Sequence, residues 1–316
     1  MFRSVGNYLF VIKRNGHQSI VMLVDTTKAN ILKSGKFITA FSLVWLAFIV
    51  LSPLSIDTLT DYVTFIVVGI TGAIFANSTG AGGGVIFIPL FNFLNFSELQ
   101  SVATSFAIQC FGMTAGAYTW WHHYQTQKSD LRLWQGFKRI VAVTGLAAVL
   151  GLWLVYFGEL VSPSSLHNSF SWFSLLLGIF IIVSVFMVKP QRDSSKLLAI
   201  DWLMLVIIGL GGGAITAWLS VGVGELLAIY LILRRFDINM AIASAVLVSA
   251  ITVWSGIWHH TVLNFQVYWQ VVLFAGPGAV LGGVLAKTLV THLSAVRLKL
   301  FFASWLLVIG VFGVST

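Results

Sequence analysis

Charged residues are scarce in this chain. They make up 9% of its 316 residues, whereas hydrophobic residues make up 58%, and the mean hydropathy is +0.94. A soluble domain carries roughly 25% charged residues, so the composition excludes an ordinary soluble protein. It predicts an all-α protein that crosses a membrane several times, because helices satisfy their own backbone in lipid.

Cysteine and nucleotide-binding motifs are also nearly absent. Cys110 is the single cysteine and lies in an apolar run, so an intrachain disulfide framework is excluded. No G-x-x-x-x-G-K-S/T sequence, the motif of nucleotide-binding P-loops, occurs. Its absence argues against a transporter that hydrolyses ATP. Lys and Arg are missing from the interior of the predicted spans, so an anion bound there must be held by amide and hydroxyl groups. We predict no catalytic residue, no metal and no cofactor.

Basic residues are concentrated in the predicted loops, and they explain the formal net charge of +8. In a membrane protein such an excess marks cytoplasmic loops, so we predict a lipid bilayer and no nucleic acid as partner. The apolar segments between these loops run at about 37–56, 62–79, 84–96, 99–119, 140–158, 170–188, 201–219, 222–233, 238–258, 268–287 and 298–316.

Two of these segments, 84–96 and 222–233, are too short to span, since a crossing helix needs roughly 20 residues. Each follows a glycine cluster. If each cluster reverses the chain, the loops rich in Lys and Arg all fall on one side and the loops without them fall on the other. The sequence therefore predicts two re-entrant helical hairpins in a multi-pass protein of the cell (inner) membrane, with a cytoplasmic N-terminus.

Short motifs recur in the same order in two parts of the chain. S-x-G-x-G occurs at Ser78–Gly82 and at Ser220–Gly224, and the span after each ends in Trp-His-His. The charge argument gives the two copies opposite orientations, a plan typical of secondary transporters. The predicted parts are a basic cytoplasmic segment 1–36, an extra span 37–56, a first repeat 61–189 and a second, inverted repeat 200–316.

The glycine-broken turns at 78–84 and 220–225 predict a binding site for a small anion. Irregular backbone at membrane depth survives only inside protein or around a cavity, and the first amides of the next helix attract anions. We expect two facing turns to aim unpaired amides into a shared cavity. Helix packing is the alternative role for the glycines, and bonding to local backbone is the alternative for each hydroxyl. The predicted substrate-binding residues are Ser78, Thr79, Gly80, Gly82, Gly83, Thr104, Ser105, Ser220, Gly222, Gly224 and Ser244, with Asn77 and Gln109 as further amide donors.

Glu225 places one carboxylate beside the second turn. An acidic group at membrane depth is often part of a proton relay, and protonation would let it face a bound anion. We therefore predict that protons are coupled to substrate at Glu225. Two alternatives stay open: a position at the wet edge of the cavity, and an ion pair with Arg234 or Arg235.

Other functions remain open from the residues alone. Ser255 and His259 stand one helical turn apart, as an intramembrane serine hydrolase would need, although no acidic residue lies near Ser255 in the sequence to orient the histidine. A passive anion channel and a membrane assembly factor without a substrate are the remaining alternatives. The two Trp-His-His sequences end spans on opposite sides, so they cannot share a metal ion.

The stretch GAGGGVIFIPL, the Ala-Thr-Ser element at 103–105 and the stretch GVGELLAIYLILRRFDINMAIASA resemble the sulfite exporter TauE/SafE family, over roughly residues 60–316. The resemblance implies a transporter of small sulfur-containing anions or organic acids such as sulfite, sulfonates and sulfoacetate, coupled to protons. Glu225 departs from the family pattern, in which this place is often glycine. The matching motif positions are Gly80, Gly82, Gly83, Gly84, Pro89, Ala103, Thr104, Ser105, Gly222, Gly224 and Glu225.

Overall fold

The structure, a computed structural model, describes residues 32, 34–52, 55–126, 133–162, 165–187, 196–292 and 295–315. The chain divides into two compact units, Met1–Leu43 and Val44–Thr316. Almost all of the predicted cytoplasmic segment 1–36 lies outside the described residues.

The described residues form helices and no strand, which confirms the all-α class. The helices are α1 (Gly35–Leu51), α2 (Ile56–Tyr62), α3 (Phe65–Thr79), α4 (Gly84–Phe93), α5 (Glu98–Thr126), α6 (Phe137–Phe157), α7 (Leu166–Met187), α8 (Ala199–Leu219), α9 (Val223–Leu233), α10 (Ile238–Trp258), a π-helical turn (His259–Leu263), α11 (Trp269–His292) and α12 (Ala295–Ser315).

Six helical stretches among the described residues are long and apolar enough to cross a membrane. This confirms a chain with several membrane spans. α4 and α9 have 10 and 11 residues, and at about 1.5 Å per residue neither reaches across a bilayer. The six stretches are Leu59–Thr79, Phe137–Phe157, Leu166–Val183, Ala199–Leu219, Ile238–Leu263 and Trp269–Val290.

The largest difference from the expected boundaries is at the end of α5. The apolar pattern predicts a span over 99–119, but α5 continues to Thr126. The ring of Tyr124, in the added turns, lies 5.3 Å from that of Trp134 and 4.8 Å from that of Phe137. Packing of aromatic rings stabilises these turns beyond the end of the apolar run.

α3 and α4 form the first re-entrant hairpin. The chain leaves α3 at Gly80, whose φ of +83° favours glycine because a Cβ would be strained there. α4 then returns beside α3, so that the ring of Phe91 near its end lies 6.5 Å from that of Phe65 at the start of α3. The chain therefore enters and leaves this hairpin at the same end of the bundle.

α8 and α9 form the second re-entrant hairpin. The chain reverses through Ser220 and Gly222, with φ values of 60° and 143°. Arg234, which directly follows α9, donates two hydrogen bonds to Asp201 in the first turn of α8, from Nε to Oδ1 (2.6 Å) and from Nη2 to Oδ2 (3.0 Å). The hydroxyl of Tyr230 donates to the same buried carboxylate at 2.5 Å. Asp201 thus joins the two ends of the hairpin.

The two hairpins open at opposite ends of the bundle. α5 begins at Glu98 beside the first hairpin, and its 29 residues extend about 43 Å. Around its far end, Tyr124, Trp134 and Trp202 line one cavity at the open end of the second hairpin. This arrangement agrees with inverted repeats, although the two-fold relation itself stays a prediction. We name the end that carries Lys138, Arg139, Lys196 and Arg234 the basic end, and the end that carries Asp61, Glu98 and Glu159 the acidic end.

Small residues let the long helices approach closely. A Cβ at Gly69 of α3 would overlap the carbonyl oxygen of Ala275 in α11, and a Cβ at Gly213 of α8 would overlap that of Ala148 in α6. Lipid tails are as apolar as leucine, so close packing of this kind is a main source of helix association in membranes. These glycines therefore serve helix packing.

Candidate functional site

The tips of the two hairpins touch in the interior of the protein. The carbonyl oxygen of Gly80 lies against Gly224, so closely that a Cβ at Gly224 would overlap it. Gly84 faces the carbonyl group of Ser220 in the same way. Residues 80–84 and 220–225 are all buried. The two turns therefore meet backbone to backbone, an approach that glycine permits because it has no side chain.

Glu225 connects the two turns through its carboxylate. Oε2 accepts a hydrogen bond from the amide of Gly222 at 2.8 Å, which caps the start of α9. Oε1 accepts from the amide of Gly82, in the opposite hairpin, at 2.7 Å. The side chain is 2% exposed. Amides from two separate hairpins therefore converge on one carboxyl group that belongs to the protein itself.

Gln109 of α5 makes a second bridge between the turns. Its Oε1 accepts from the amide of Gly83 at 2.8 Å. Its Nε2 lies 2.8 Å from Oγ of Ser220, 3.1 Å from the carbonyl oxygen of Ser220 and 3.0 Å from Oγ of Ser105. The Ser220 hydroxyl donates to the Ser105 hydroxyl at 2.8 Å. Four side chains, those of Ser105, Gln109, Ser220 and Glu225, thus form one buried polar network with the turn amides.

Hydroxyl groups satisfy the next amides of each turn. Thr79 accepts from the amide of Ala81 at 3.2 Å, and Thr216 accepts from the amide of Val223 at 3.1 Å. Thr216 was not among the predicted site residues, although its place one turn before Ser220 would have suggested it. Ser78 donates to the carbonyl oxygen of Phe75 in its own helix, which is the local role expected for a serine in a membrane helix.

The amides of Ala81, Gly82, Gly83, Gly222 and Val223 are therefore paired within the protein, which differs from the expected cavity lined by unpaired amides. The reason is energetic, because a buried amide without a partner costs about 1–3 kcal/mol, and side chains of the protein supply the acceptors here. Glu225 and Gln109 are those acceptors. The amide donors are Gly82, Gly83 and Gly222.

Thr104 and Ser244, like Ser78, lie outside this network. Oγ1 of Thr104 accepts from the amide of Tyr268 at 3.0 Å, so Thr104 holds the segment before α11. Ser244 donates to the carbonyl oxygen of Met240 in its own helix at 2.8 Å. Their positions in the motifs gave no sign of this, because the facing direction of each hydroxyl depends on how the helices rotate in the bundle.

The expected wet-edge position of Glu225 and its expected ion pair with Arg234 are both wrong. A side chain that is 2% exposed does not stand at the wet edge of a cavity. Arg234 pairs with Asp201, at the open end of the hairpin and away from the turn. Burial of an acidic group away from Arg234 leaves two backbone amides as its hydrogen-bond donors.

Asn77 contributes an unsatisfied acceptor close to the network. Its Nδ2 donates to the carbonyl oxygens of Ala73 and Gly112, but its fully buried Oδ1 has no hydrogen-bond partner. A cavity of about 10 Å³ lies between Asn77, Gly83 and Gln109. A cavity of this volume has room for about one water molecule. The cavity therefore does not hold a larger ligand.

A larger cavity of about 650 Å³ opens at the acidic end, and we name it the histidine vestibule. His259 and His260, in the π-helical turn, line it together with Tyr156. Tyr156 stacks on His259 with ring centroids 3.9 Å apart, and its hydroxyl lies 3.0 Å from Nε2 of His260. π-helical turns are frequent at functional sites, and nothing in the motif spacing revealed this one.

The proposed serine–histidine pair does not form. The hydroxyl of Ser255 accepts from Trp153 Nε1 at 2.7 Å. His259 is engaged through Nε2 with Asn264, and its buried Nδ1 has no hydrogen-bond partner. Since neither ring nitrogen contacts Ser255, the base that a serine nucleophile needs is missing.

Comparison with known proteins agrees with the architecture. The family described as Sulfite exporter TauE/SafE matches residues 65–313. That range holds both hairpins and the whole polar network. Searches of curated proteins and of solved structures gave no match. The chain therefore belongs to the sulfite exporter TauE/SafE family, and it is a membrane transporter rather than an enzyme.

Proposed function

We propose that this protein is a secondary transporter that moves a small anion across the cell (inner) membrane by alternating access, with Glu225 as the proton-coupling residue. The observation that carries the proposal is the convergence of amides from two separate hairpins on one buried carboxylate. A site that holds a carboxylate with backbone amides has the chemistry to hold a small oxyanion. The family description names sulfite, and an organosulfonate or a related sulfur-containing or carboxylate anion has the same oxyanion chemistry.

The substrate replaces the carboxylate of Glu225 in this mechanism. An oxyanion takes the amides of Gly82 and Gly222, and Gln109 and Ser220, which bond to each other between the same two turns, are the side chains that supply further donors. Two negative charges at contact distance in a medium of low dielectric repel each other strongly. Glu225 therefore takes up a proton when the anion binds, and proton and anion travel in the same direction.

The hairpins supply the conformational change. They open at opposite ends and meet at their tips, so a tilt of one against the other exposes the site to one end at a time. The donors belong to both tips, so the bound anion holds the two hairpins together during the change. A passive channel needs no such exchange between substrate and Glu225, and the coupling test below separates the two.

The coupling test is anion binding as a function of pH. A simple alkanesulfonate is the probe, because it stays ionised across the range and its own titration does not contribute. If one proton enters with each anion, the apparent Kd of the anion should rise about tenfold for each unit of increasing pH. This holds over the pH range in which Glu225 is ionised in the free protein and protonated in the complex. Ligand-induced thermal stabilisation of the purified protein measures the Kd. Sulfite, sulfoacetate, acetate and chloride are measured in the same way for comparison.

Glu225→Gln should bind the same sulfonate with a Kd that does not change with pH. Asp61→Asn removes an exposed carboxylate and is the matched control, which should keep the wild-type pH dependence. A wild-type Kd that is constant with pH would remove the coupling role from Glu225. If no anion stabilises the protein at any pH, and labelled sulfite does not enter proteoliposomes, anion transport itself is contradicted.

A further inference from the structure

An open cavity of about 570 Å³ lies at the basic end, and no residue of the polar network lines it. We name it the basic pocket. Lys138 and Arg139, in the first turn of α6, line it together with Lys196 from the segment before α8. All three cations are exposed. Among the described residues, no carboxylate lines the pocket, so three positive charges share one cavity without a neutralising acid.

The carboxylate that is closest in the sequence is already engaged. Asp201 precedes Trp202, which lines the pocket. Its side chain is fully buried, and it accepts hydrogen bonds from Arg234 and from Tyr230. Asp201 therefore stabilises the base of the second hairpin and leaves the charge of the basic pocket unbalanced.

The start of α6 adds to the positive charge of the pocket. The first turn of this helix contains two cations and no acidic residue, and Gly136 at its N-cap has no side chain that could accept from the first amides. The N-terminus of a helix carries a partial positive charge, so cations are unfavourable there and anions are favourable. An anion in the basic pocket offsets both the helix terminus and the cationic side chains.

Aromatic rings and a glycine hold the walls of the pocket. The ammonium group of Lys138 lies 5.6 Å from the ring centroid of Trp121 and 5.9 Å from that of Tyr124, within reach of cation–π attraction. A Cβ at Gly136 would overlap the side chain of Leu197, so the segment before α6 lies directly against the segment before α8. The cations of the two segments are therefore held around one cavity.

The pocket lies where two predicted membrane spans begin. The span Phe137–Phe157 starts at a residue that lines the pocket, and Trp202, which also lines it, is in the first turn of the span Ala199–Leu219. Tryptophan is enriched at the boundary between membrane and water. Ile200 and Leu203 of the same helix are 54% and 55% exposed and provide apolar surface for lipid tails. The pocket is thus at the level of lipid headgroups.

The size and the mixed lining of the pocket favour a headgroup over a small free anion. Sites for drug-sized ligands have volumes of about 300–1,000 Å³, and a small oxyanion fills only a minor part of about 570 Å³. The lining combines the three cations with the rings of Trp134, Phe137 and Trp202. A phospholipid offers a phosphate to the cations and a glycerol backbone with acyl chains to the apolar wall.

We propose that the basic pocket binds the headgroup of an anionic phospholipid, with the phosphate held by Lys138, Arg139 and Lys196. Loop charge predicts that this end faces the cytoplasm, where the leaflet carries anionic lipids. The lipid joins the segment before α6 to the segment before α8, beside the base of the second hairpin. The site is separate from the anion site at the hairpin tips and does not depend on which substrate is transported.

Native mass spectrometry of the delipidated protein in a nonionic detergent tests the site. Phosphatidylglycerol and phosphatidylcholine with identical acyl chains are added together, so that the competing lipids differ only in their headgroups. We expect one phosphatidylglycerol to bind at least about tenfold more tightly than phosphatidylcholine, because only its headgroup has a net negative charge. Inorganic phosphate and glycerol phosphate, tested by thermal stabilisation, distinguish a free phosphate from a lipid as the ligand and should have little effect.

The variants Lys138→Gln, Arg139→Gln and Lys196→Gln should each weaken phosphatidylglycerol binding about fivefold, as expected for one cation near an anionic lipid. Lys138→Arg keeps the charge and should retain the affinity. Lys36→Gln is the matched control, since Lys36 is an exposed cation that does not line the pocket, and it should change the affinity by less than about twofold. The melting temperature without lipid reports whether each variant is folded.

Three results overturn the proposal. The first is equal binding of the two lipids by the wild-type protein. The second is an equal loss of phosphatidylglycerol binding in Lys36→Gln, which reports attraction to the net charge of the protein rather than to this pocket. The third is full stabilisation by inorganic phosphate with no further effect of the lipid, which assigns the pocket to a free anion. None of these measurements uses a sulfonate, so failure here leaves the proposed function untouched.

Discussion

At the scale of single residues, the site depends on a few polar side chains that contact groups far away in the chain. Glu225 and Gly82 are 143 residues apart, and Gln109 and Ser220 are 111 residues apart. Ser220 adopts a left-handed conformation with a φ of 60°, which costs a non-glycine residue of order 1–3 kcal/mol. This conformation places the Ser220 hydroxyl between Gln109 and Ser105. The strained backbone therefore lies at a residue of the polar network.

Gln109→Leu should lower the stability of the protein by at least about 2 kcal/mol, because it removes the acceptor of the Gly83 amide and the donor to Ser220. Unfolding in detergent, followed by circular dichroism against denaturant, measures the change. Gln100→Leu on the same helix is the matched control, since the side chain of Gln100 accepts from the amide of the nearby Ser97 at the exposed start of α5. It should change stability by less than about 0.5 kcal/mol. Equal effects of the two substitutions would show that the Gln109 bridge contributes nothing.

At the scale of elements, each hairpin has a buried tip, and the second hairpin also has a fastened base. The second hairpin is fastened by Asp201, which accepts from Arg234, from Tyr230 and from the amide of Leu198 at 2.7 Å. The carboxylate is fully buried, and the Arg234 side chain is 33% exposed. A hairpin that is fixed at its base can tilt as one body, which is the motion that alternating access requires.

A double-mutant cycle tests the fastening at the base of the second hairpin. Asp201→Ala and Arg234→Ala should each destabilise the protein, and the pair should show a coupling energy of about 1–3 kcal/mol, because hydrogen bonds between charged groups are worth that much when one partner is buried. Thermal unfolding of the four proteins gives the coupling. Lys196→Ala removes an exposed cation at the same end and should leave stability unchanged. Additive effects of the two alanine substitutions would mean that the ion pair does not hold the hairpin.

At the scale of the whole molecule, charge is distributed unevenly between the two ends. Lys138, Arg139 and Lys196 line a cavity of about 570 Å³ at the basic end, whereas the described residues of the acidic end include carboxylates and neither Lys nor Arg. The rule that basic loops stay in the cytoplasm predicts which end faces inward. It also predicts that the histidine vestibule opens on the outside.

Labelling of single cysteines in intact cells tests this orientation. In the Cys110→Ala background, Val161→Cys in the loop between α6 and α7 should react with a membrane-impermeant maleimide, because Val161 is 88% exposed at the acidic end. Arg139→Cys, exposed at the basic end, should react only after the membrane is permeabilised. Labelling of Arg139→Cys in intact cells, with protection of Val161→Cys, would reverse the predicted orientation.

The sequence by itself determined the class, the number of broken elements and the family. Low charge and long apolar runs leave helices as the structure that satisfies the backbone in lipid, and the glycines at 80–84 and 222–224 mark the turns because few other residues tolerate such backbone contact. These properties are local, so they can be read from neighbouring residues. The hairpin character followed from loop charge, and the contacts of Phe65 with Phe91 and of Asp201 with Arg234 confirm it.

Only the tertiary structure decided which groups meet at the tips. The sequence could not show that Glu225 and Gln109 accept from the amides of Gly82, Gly83 and Gly222, or that Thr104 and Ser244 face elsewhere. Each of these depends on the rotation and depth of helices that lie far apart in the chain. A hydrogen bond across more than a hundred residues is set by packing of whole helices, and no short motif carries that information.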